Sequence, residues 1–278
     1  MEKTMNQTTK MIFLDLDGTL FDDHKNIPEY NLSAIREALA RGHKVIICTG
    51  RPLCSAKNLF PQLNMEQEGC YAITFNGGLI YDIFHQKTLF KQTLPLRYVK
   101  YLFQKAEEHG IYMQTYSDNA ILCTTDQKEG QDYSKRLKIE RSIVADIFEA
   151  LGEETPCKTL AIVKSSDHHR LETFRNALSD WSVDKIDMFF SCNEYLEFVP
   201  LGISKGAAVH FLAAHLNIPV ENTIAVGDAE NDIPMLHAAG LGVAMKNAAN
   251  DIKQYADYIT ELDNNQGGVG EVIRKFML

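Results

Sequence analysis

Short apolar runs that each stop abruptly on a polar cluster constrain this chain most. "MIFL" runs into Asp15-Leu16-Asp17, "KVIICT" into Gly50-Arg51-Pro52, "YAITF" into Asn76-Gly77-Gly78, and "TIAVG" into Asp228. None alternates polar with apolar, so each reads as a strand covered on both faces, the signature of a parallel sheet. Between them lie helical patterns. Leu32, Ile35 and Leu39 recur at helical spacing before Gly42, a second helical stretch is expected near 53–63, and "GISKGAAVHFLAAHLNI" is expected to turn Ala207, Phe211 and Ala214 inward. Strand and helix in alternation predict an α/β domain with a Rossmann-like, doubly wound parallel sheet, its site at the strands' C-terminal ends.

The middle of the chain breaks this rhythm. Helical 96–110 is followed by the paired strand patterns "IYMQTYS" and "AILCTT" across Asp118-Asn119, a helix expected near 132–151, a strand at "KTLAIVKS", a helix at 168–180, and the pair "DKIDMFFSC" and "YLEFVP". Short turns between such strands indicate an antiparallel sheet in a separate α+β unit. The expected division is a core from residues 1–83 and 199–278 and an inserted cap from 84–198. Its connections are expected at Asn76–Tyr81 and Val199–Gly202.

Composition limits the partners. A formal net charge of −9 argues against non-specific binding to nucleic acid or an anionic membrane, partners that need a basic face, and 45% hydrophobic with 23% charged residues is ordinary for a globular protein. Six cysteines without a C-x-x-C pair suggest buried free thiols in a reducing compartment. "MEKTMNQTTK" lacks a leader's apolar stretch and no apolar run reaches membrane-spanning length, so a cytoplasmic protein is expected, by default a monomer.

In a parallel sheet Asp15, Asp17, Asp228 and the nearby Asp232 would converge on one edge and repel one another. A divalent cation resolves the conflict, and an all-oxygen set suits Mg²⁺. An EF-hand is excluded because positions 6 and 12 counted from Asp15 are Leu20 and Asn26; no P-loop motif is present.

Four blocks in order, "DLDGT", "TGRP", "GISKG" and "GDAENDIPML", resemble the haloacid dehalogenase superfamily of phosphotransferases. The inserted unit and "FNGG" are similar to its Cof-type branch with a large (C2-type) cap. The resemblance implies a phosphatase acting on small phosphorylated metabolites such as sugar phosphates, with Asp15 as nucleophile, Asp17 as general acid and base and through its carbonyl a Mg²⁺ ligand, and Asp228 as a further ligand. It also implies that Thr49, Lys205, Asn231 and the backbone of Leu16 and Gly50 cradle the phosphoryl group, and that Asp232 orients Lys205 or a metal-bound water. Arg51 is left between a substrate contact and a surface ion pair, and Asn76 reads as a hinge turn. A sugar phosphomutase and a non-catalytic sugar-phosphate binder stay open as alternatives.

Overall fold

The computed structural model describes residues 8–278, so most of the polar N-terminal stretch discussed above lies outside it. Fourteen strands are defined among these residues. In chain order they are β1 (Met11–Leu14), β2 (Lys44–Cys48), β3 (Tyr71–Thr74), β4 (Leu79–Asp82), β5 (Lys87–Lys91), β6 (Tyr112–Tyr116) and β7 (Ala120–Cys123). There follow β8 (Glu140–Ile143), β9 (Thr159–Ile162), β10 (Ile186–Cys192), β11 (Tyr195–Pro200), β12 (Thr223–Gly227), β13 (Leu241–Ala244) and β14 (Tyr258–Ile259).

The larger sheet runs β14-β13-β12-β1-β2-β3-β4-β5. It is parallel from β14 to β3, and only β4 and β5 are antiparallel to their neighbours. β1 lies between β2 and β12, with every one of its residues buried, which is why its sequence carries no alternation. Separate apolar clusters cover the two faces: Ile12, Leu14 and Val45 point to one, Met11, Phe13 and Ile46 to the other. This is the doubly wound α/β core.

The second sheet runs β10-β11-β9-β6-β7-β8, antiparallel except for the β7–β8 pair. Its helices Leu96–Glu108 and His168–Ser182 pack Val99, Leu102, Leu171 and Phe174 against Met113, Ala161 and Phe198.

Several expectations are corrected. The inserted unit does not begin at 84: β4 and β5 both belong to the larger sheet, so 79–81 is strand instead of connection, and the chain crosses over after Lys91. On the return, Val199 and Pro200 still belong to β11. The single helix expected near 132–151 is two, Lys128–Leu137 and Ile147–Leu151, with β8 between; Lys138 at φ 54° ends the first. The helix expected near 53–63 shortens to Leu53–Ala56 and one tighter turn. Helix Lys205–His215 is rotated from its expected phase and buries Ala208, Val209 and Leu212, because Lys205 itself faces inward. Of the six free cysteines, Cys54 and Cys192 are only half-buried. No helix among the described residues is long and apolar enough to cross a membrane.

Candidate active site

Because β1 and β12 are parallel neighbours with Leu14 opposite Val226, the residues that follow them, Asp15 and Asp228, emerge at the same edge. The Asp15 N–H continues the ladder by donating to the Val226 carbonyl at 3.1 Å. Carboxylate oxygens of Asp15, Asp228 and Asp232 lie within 4.8 Å of one another. Gly18 lets the chain turn away beneath them: its φ is +86°, and a Cβ there would sit 2.4 Å from an Asp228 oxygen.

Lys205 enters from a different element. Ser204 caps its helix by accepting from the Ala207 N–H at 3.1 Å, which sets Lys205 on the first turn pointing inward, fully buried. Its Nζ donates to Asp15 Oδ1 at 2.5 Å and to Asp232 Oδ1 at 2.6 Å. The other Asp232 oxygen accepts from the N–H groups of Asp228 and Ala229, at 2.9 and 3.0 Å. Asp232 is thereby fully engaged by protein donors, whereas Asp228 has one oxygen on the Thr19 hydroxyl at 2.7 Å.

The electrostatics follow from burial and crowding. Burial, only partly offset by the Lys205 charge and reinforced by Asp232 and Asp17, pushes the Asp15 carboxyl up to about 7. Burial and the neighbouring Asp15 and Asp232 also push Asp228 well above the usual carboxylate range. Against its own burial, Lys205 is held above the ordinary lysine value by Asp15 and Asp232. One ammonium among three carboxylates leaves the cluster short of positive charge. A compact set of carboxylate oxygens in that condition fits a hard divalent cation, with Asp15 and Asp228 the carboxylates left to hold it.

Asp17 turns away from this cluster. Arg51 donates to both its oxygens, Nε and Nη2 each at 2.7 Å, and Lys25 adds a bond at 2.8 Å. Burial would raise this carboxyl, but the Arg51 and Lys25 bonds override it and hold Asp17 well below the usual range. Arg51 thus pairs with the carboxylate of the first motif instead of an unrelated surface one, and with only 10% of its side chain exposed it stands in the wall of the cleft, where a substrate would meet it.

Thr49, buried at the end of β2, accepts the Arg51 N–H on its hydroxyl at 3.2 Å, which leaves its own hydrogen to donate. Thr49, Gly50, Arg51 and Asn231 line one cleft of about 290 Å³ with Asp15, Asp17 and Asp228. Leu16 is buried between the two aspartates of its motif. The cleft's far wall comes from the second sheet and its helices: Tyr133, Arg136, Lys158, Ser191, Tyr195 and Glu197. The sequence reading missed all six, although Lys158 and Glu197 gave a signal as charges within the apolar patterns "KTLAIV" and "YLEFVP". Asn76 is a turn residue, at φ 57°, but it joins β3 to β4 within the larger sheet instead of forming a hinge, and its buried side chain bridges Glu197 and Asn231.

A parallel-sheet core carrying convergent aspartates and a buried lysine at its carboxyl edge, roofed by a second α+β sheet, defines a Rossmann-like enzyme with an inserted cap. A profile of haloacid dehalogenase-like hydrolases matches residues 12–273, and the chain belongs to that family. It is 31% identical over 271 residues to the Bacillus subtilis protein YcsE, named a 5-amino-6-(5-phospho-D-ribitylamino)uracil phosphatase, covering 97% of this chain and 96% of that one. The structure of a haloacid dehalogenase-like hydrolase from Bacteroides thetaiotaomicron superposes with a TM-score of 0.87 at 30% identity, covering 96% and 99% of the two chains. The subclass IIB sugar phosphatase BT4131 shares the fold, with a TM-score of 0.82 at 24% identity over 96% and 99%.

Proposed function

We propose that this phosphatase hydrolyses small phosphorylated metabolites, sugar phosphates foremost, with Mg²⁺ and through a phosphoryl group carried transiently on Asp15. The observation that carries the reading is the Asp15–Lys205–Asp232 arrangement. A carboxylate at a strand end, gripped by a buried ammonium that a second carboxylate holds in place, is oriented for attack and has its charge partly cancelled.

Asp15 attacks phosphorus, and the bond to the leaving oxygen breaks. Thr49, Asn231 and the N–H groups of Leu16 and Gly50 donate to the phosphoryl oxygens. Lys205 offsets the repulsion between the attacking carboxylate and the phosphate. Asp17 supplies a proton to the departing alkoxide and later withdraws one from the water that cleaves the acyl phosphate. Since Arg51 and Lys25 favour ionised Asp17, the acid step requires them to loosen, and a phosphate dianion entering the cleft is the competitor that would draw them off. Bound through Asp15, Asp228 and the Asp17 carbonyl, Mg²⁺ would neutralise charge on the transferring group.

The cleft's volume supports a small substrate. About 290 Å³ is near the small end of ligand sites, enough for a phosphorylated sugar and too little for a polymer. The cap-side wall of Tyr133, Arg136 and Tyr195, the arginine lying 5.7 and 5.0 Å from the two rings, offers a polar and a stacking surface to the leaving group.

The test is phosphate release from a panel of phosphorylated metabolites, with Mg²⁺ and with chelator, for wild type and Asp15→Asn. Mg²⁺-dependent release that disappears in the variant supports the reading, and undiminished release from Asp15→Asn ends it. Isomerised sugar phosphate without free phosphate would mark a mutase.

A further inference from the structure

An ion pair lies buried where the second sheet meets the first, apart from the carboxylate cluster. Lys158, immediately before β9, has 1% of its side chain exposed; Glu197, in β11, has 5%; and Nζ meets Oε2 at 2.7 Å. β9 and β11 are neighbours in register, with Glu197 opposite Leu160, so the two charges belong to one patch of one sheet.

A buried ion pair is a poor way to gain stability, because desolvating both charges offsets most of their attraction, and an apolar pair of similar volume often does as well. What ions do and methyl groups cannot is hold other polar groups in one orientation. This pair does so in two directions.

The first arm starts at Lys158, whose Nζ also donates to the Gly50 carbonyl at 2.7 Å. That carbonyl belongs to the planar peptide whose other end is the Arg51 N–H, so fixing one fixes the other. The Arg51 N–H donates to Thr49 Oγ1, which occupies one of the hydroxyl's two lone pairs and leaves its hydrogen for an acceptor in the cleft. The second arm starts at Glu197. Its Oε1 accepts from Ser191 Oγ at 2.8 Å and its Oε2 from Asn76 Nδ2 at 3.2 Å. A carboxylate only accepts, so Asn76 must turn its NH₂ toward it and its carbonyl oxygen away. That oxygen then takes the Asn231 Nδ2, at 3.0 Å. The charge of Glu197 thus sets the polarity of two successive amides, ending at a residue that lines the cleft.

We propose that Lys158 and Glu197 are a positioning pair, through which the second sheet sets the orientation of the Thr49–Arg51 loop and of the Asn231 amide for binding phosphate. This rests on the reading of the cleft as a phosphoryl site. Neither residue needs to touch substrate, and the pair contributes through donors that other residues present.

The experiment separates positioning from packing. Lys158→Met, Glu197→Gln and the double variant are compared with wild type in thermal midpoint, in affinity for inorganic phosphate by calorimetry with Mg²⁺ present, and in kcat and KM for p-nitrophenyl phosphate. Lys158→Met strands a buried carboxylate and is expected to lower the midpoint sharply. The double variant strands no charge and is expected to recover the midpoint. It still lacks the hold on the Gly50 carbonyl and permits the Asn76 amide to turn over. Phosphate should therefore bind about 10-fold more weakly, the worth of one charge-assisted hydrogen bond, and kcat should fall. A double variant with both midpoint and phosphate affinity of wild type would overturn the proposal.

Should the double variant not fold, Asn76→Gly decides. Glycine accepts the left-handed backbone, and the change cuts only the second arm. Weaker phosphate binding by about 10-fold in a variant that still unfolds in one cooperative transition supports the proposal, and unchanged binding overturns it. Wild type that binds phosphate with these variant losses but releases none from any ester would end the phosphatase reading and leave the positioning pair standing.

Discussion

Arg51 holds Asp17 in a two-pronged grip, Nε on one carboxylate oxygen and Nη2 on the other, each at 2.7 Å. The guanidinium also lies 5.1 Å from the centre of the Phe21 ring, which keeps the fork in place. One motif's arginine therefore sets the ionisation of another motif's aspartate.

The consequence is an acid-limb effect on stability. Asp17 is depressed in the folded protein, net of burial, by Arg51 and Lys25. Its contribution is therefore present above the unfolded carboxyl value near 4 and is lost as pH falls below it. Arg51→Met should lower the thermal midpoint at pH 6, and the gap to wild type should narrow steadily below about pH 4. A gap that stays constant down to pH 3 would show that the pair does not titrate as argued.

The carboxylate cluster should announce a cation without any turnover. Mg²⁺ that binds only the folded protein raises the thermal midpoint in proportion to the logarithm of its concentration. We expect such a rise for wild type, its loss on adding chelator, and its absence in Asp228→Asn. In metal-free buffer Asp228→Asn should be as stable as wild type or more so, since it relieves a buried carboxylate pushed up by burial and by Asp15 and Asp232. A midpoint shift of full size in Asp228→Asn would place the cation elsewhere.

Asp15→Asn should cost at least about 1,000-fold in kcat, as removal of a covalent nucleophile does. The fold should survive, because Lys205 keeps its bond to Asp232 at 2.6 Å. Kinetics and urea denaturation on the same preparation check both halves of this expectation.

How much of this was legible in the sequence follows from what kind of interaction each part uses. Asp15 and Asp228 were placed correctly because strands buried on both faces show as unbroken apolar runs, and residues just beyond parallel neighbours share an edge. β5 was not seen as part of the core because it is an exposed edge strand, with Lys87 and Lys91 at its ends and no apolar run to mark it. The break at Lys138 was invisible because a lysine at positive φ is chosen by tertiary contacts and carries no glycine or asparagine signal. The inward turn of Lys205 shifted the expected phase of its helix, since periodicity assigns lysine to solvent. The links from Lys158 to Gly50 and from Asn76 to Glu197 span 108 and 121 residues, and no local pattern encodes them.

His43 provides a second pH dependence, far from the cleft. Its Nδ1 accepts the Lys10 N–H at 3.1 Å, so the ring's proton sits on Nε2, 2.9 Å from the Met277 carbonyl. Protonating Nδ1 would break the first bond, and burial depresses the ring's ionisation in the folded state. Between the folded and unfolded values the unfolded chain takes up more protons, so stability should fall as pH drops through about 6.5. In His43→Gln that part of the decline should be missing, as denaturant midpoints at pH 7.5 and 5.5 would reveal.

Gly206 tests whether the fold positions Lys205 through backbone contact. It follows Lys205 in the helix and packs against the carbonyl of Pro234, where a Cβ would sit 2.3 Å from the oxygen and 2.7 Å from the carbon. In an open helix, alanine would be the better residue by about 1 kcal/mol, so the sign of the change is diagnostic. Backbone atoms cannot rotate aside as a side chain can, and relief requires the first turn of the helix to shift away from Pro234. Lys205 moves with it, and its bonds to Asp15 and Asp232 are disturbed. Gly206→Ala should therefore destabilise by about 1–3 kcal/mol, the range for overpacking, and should lower kcat by about 10-fold or more, as small misplacements of catalytic groups do. A Gly206→Ala variant that is more stable than wild type and fully active would mean that this contact yields freely and that Lys205 is positioned by its carboxylates alone.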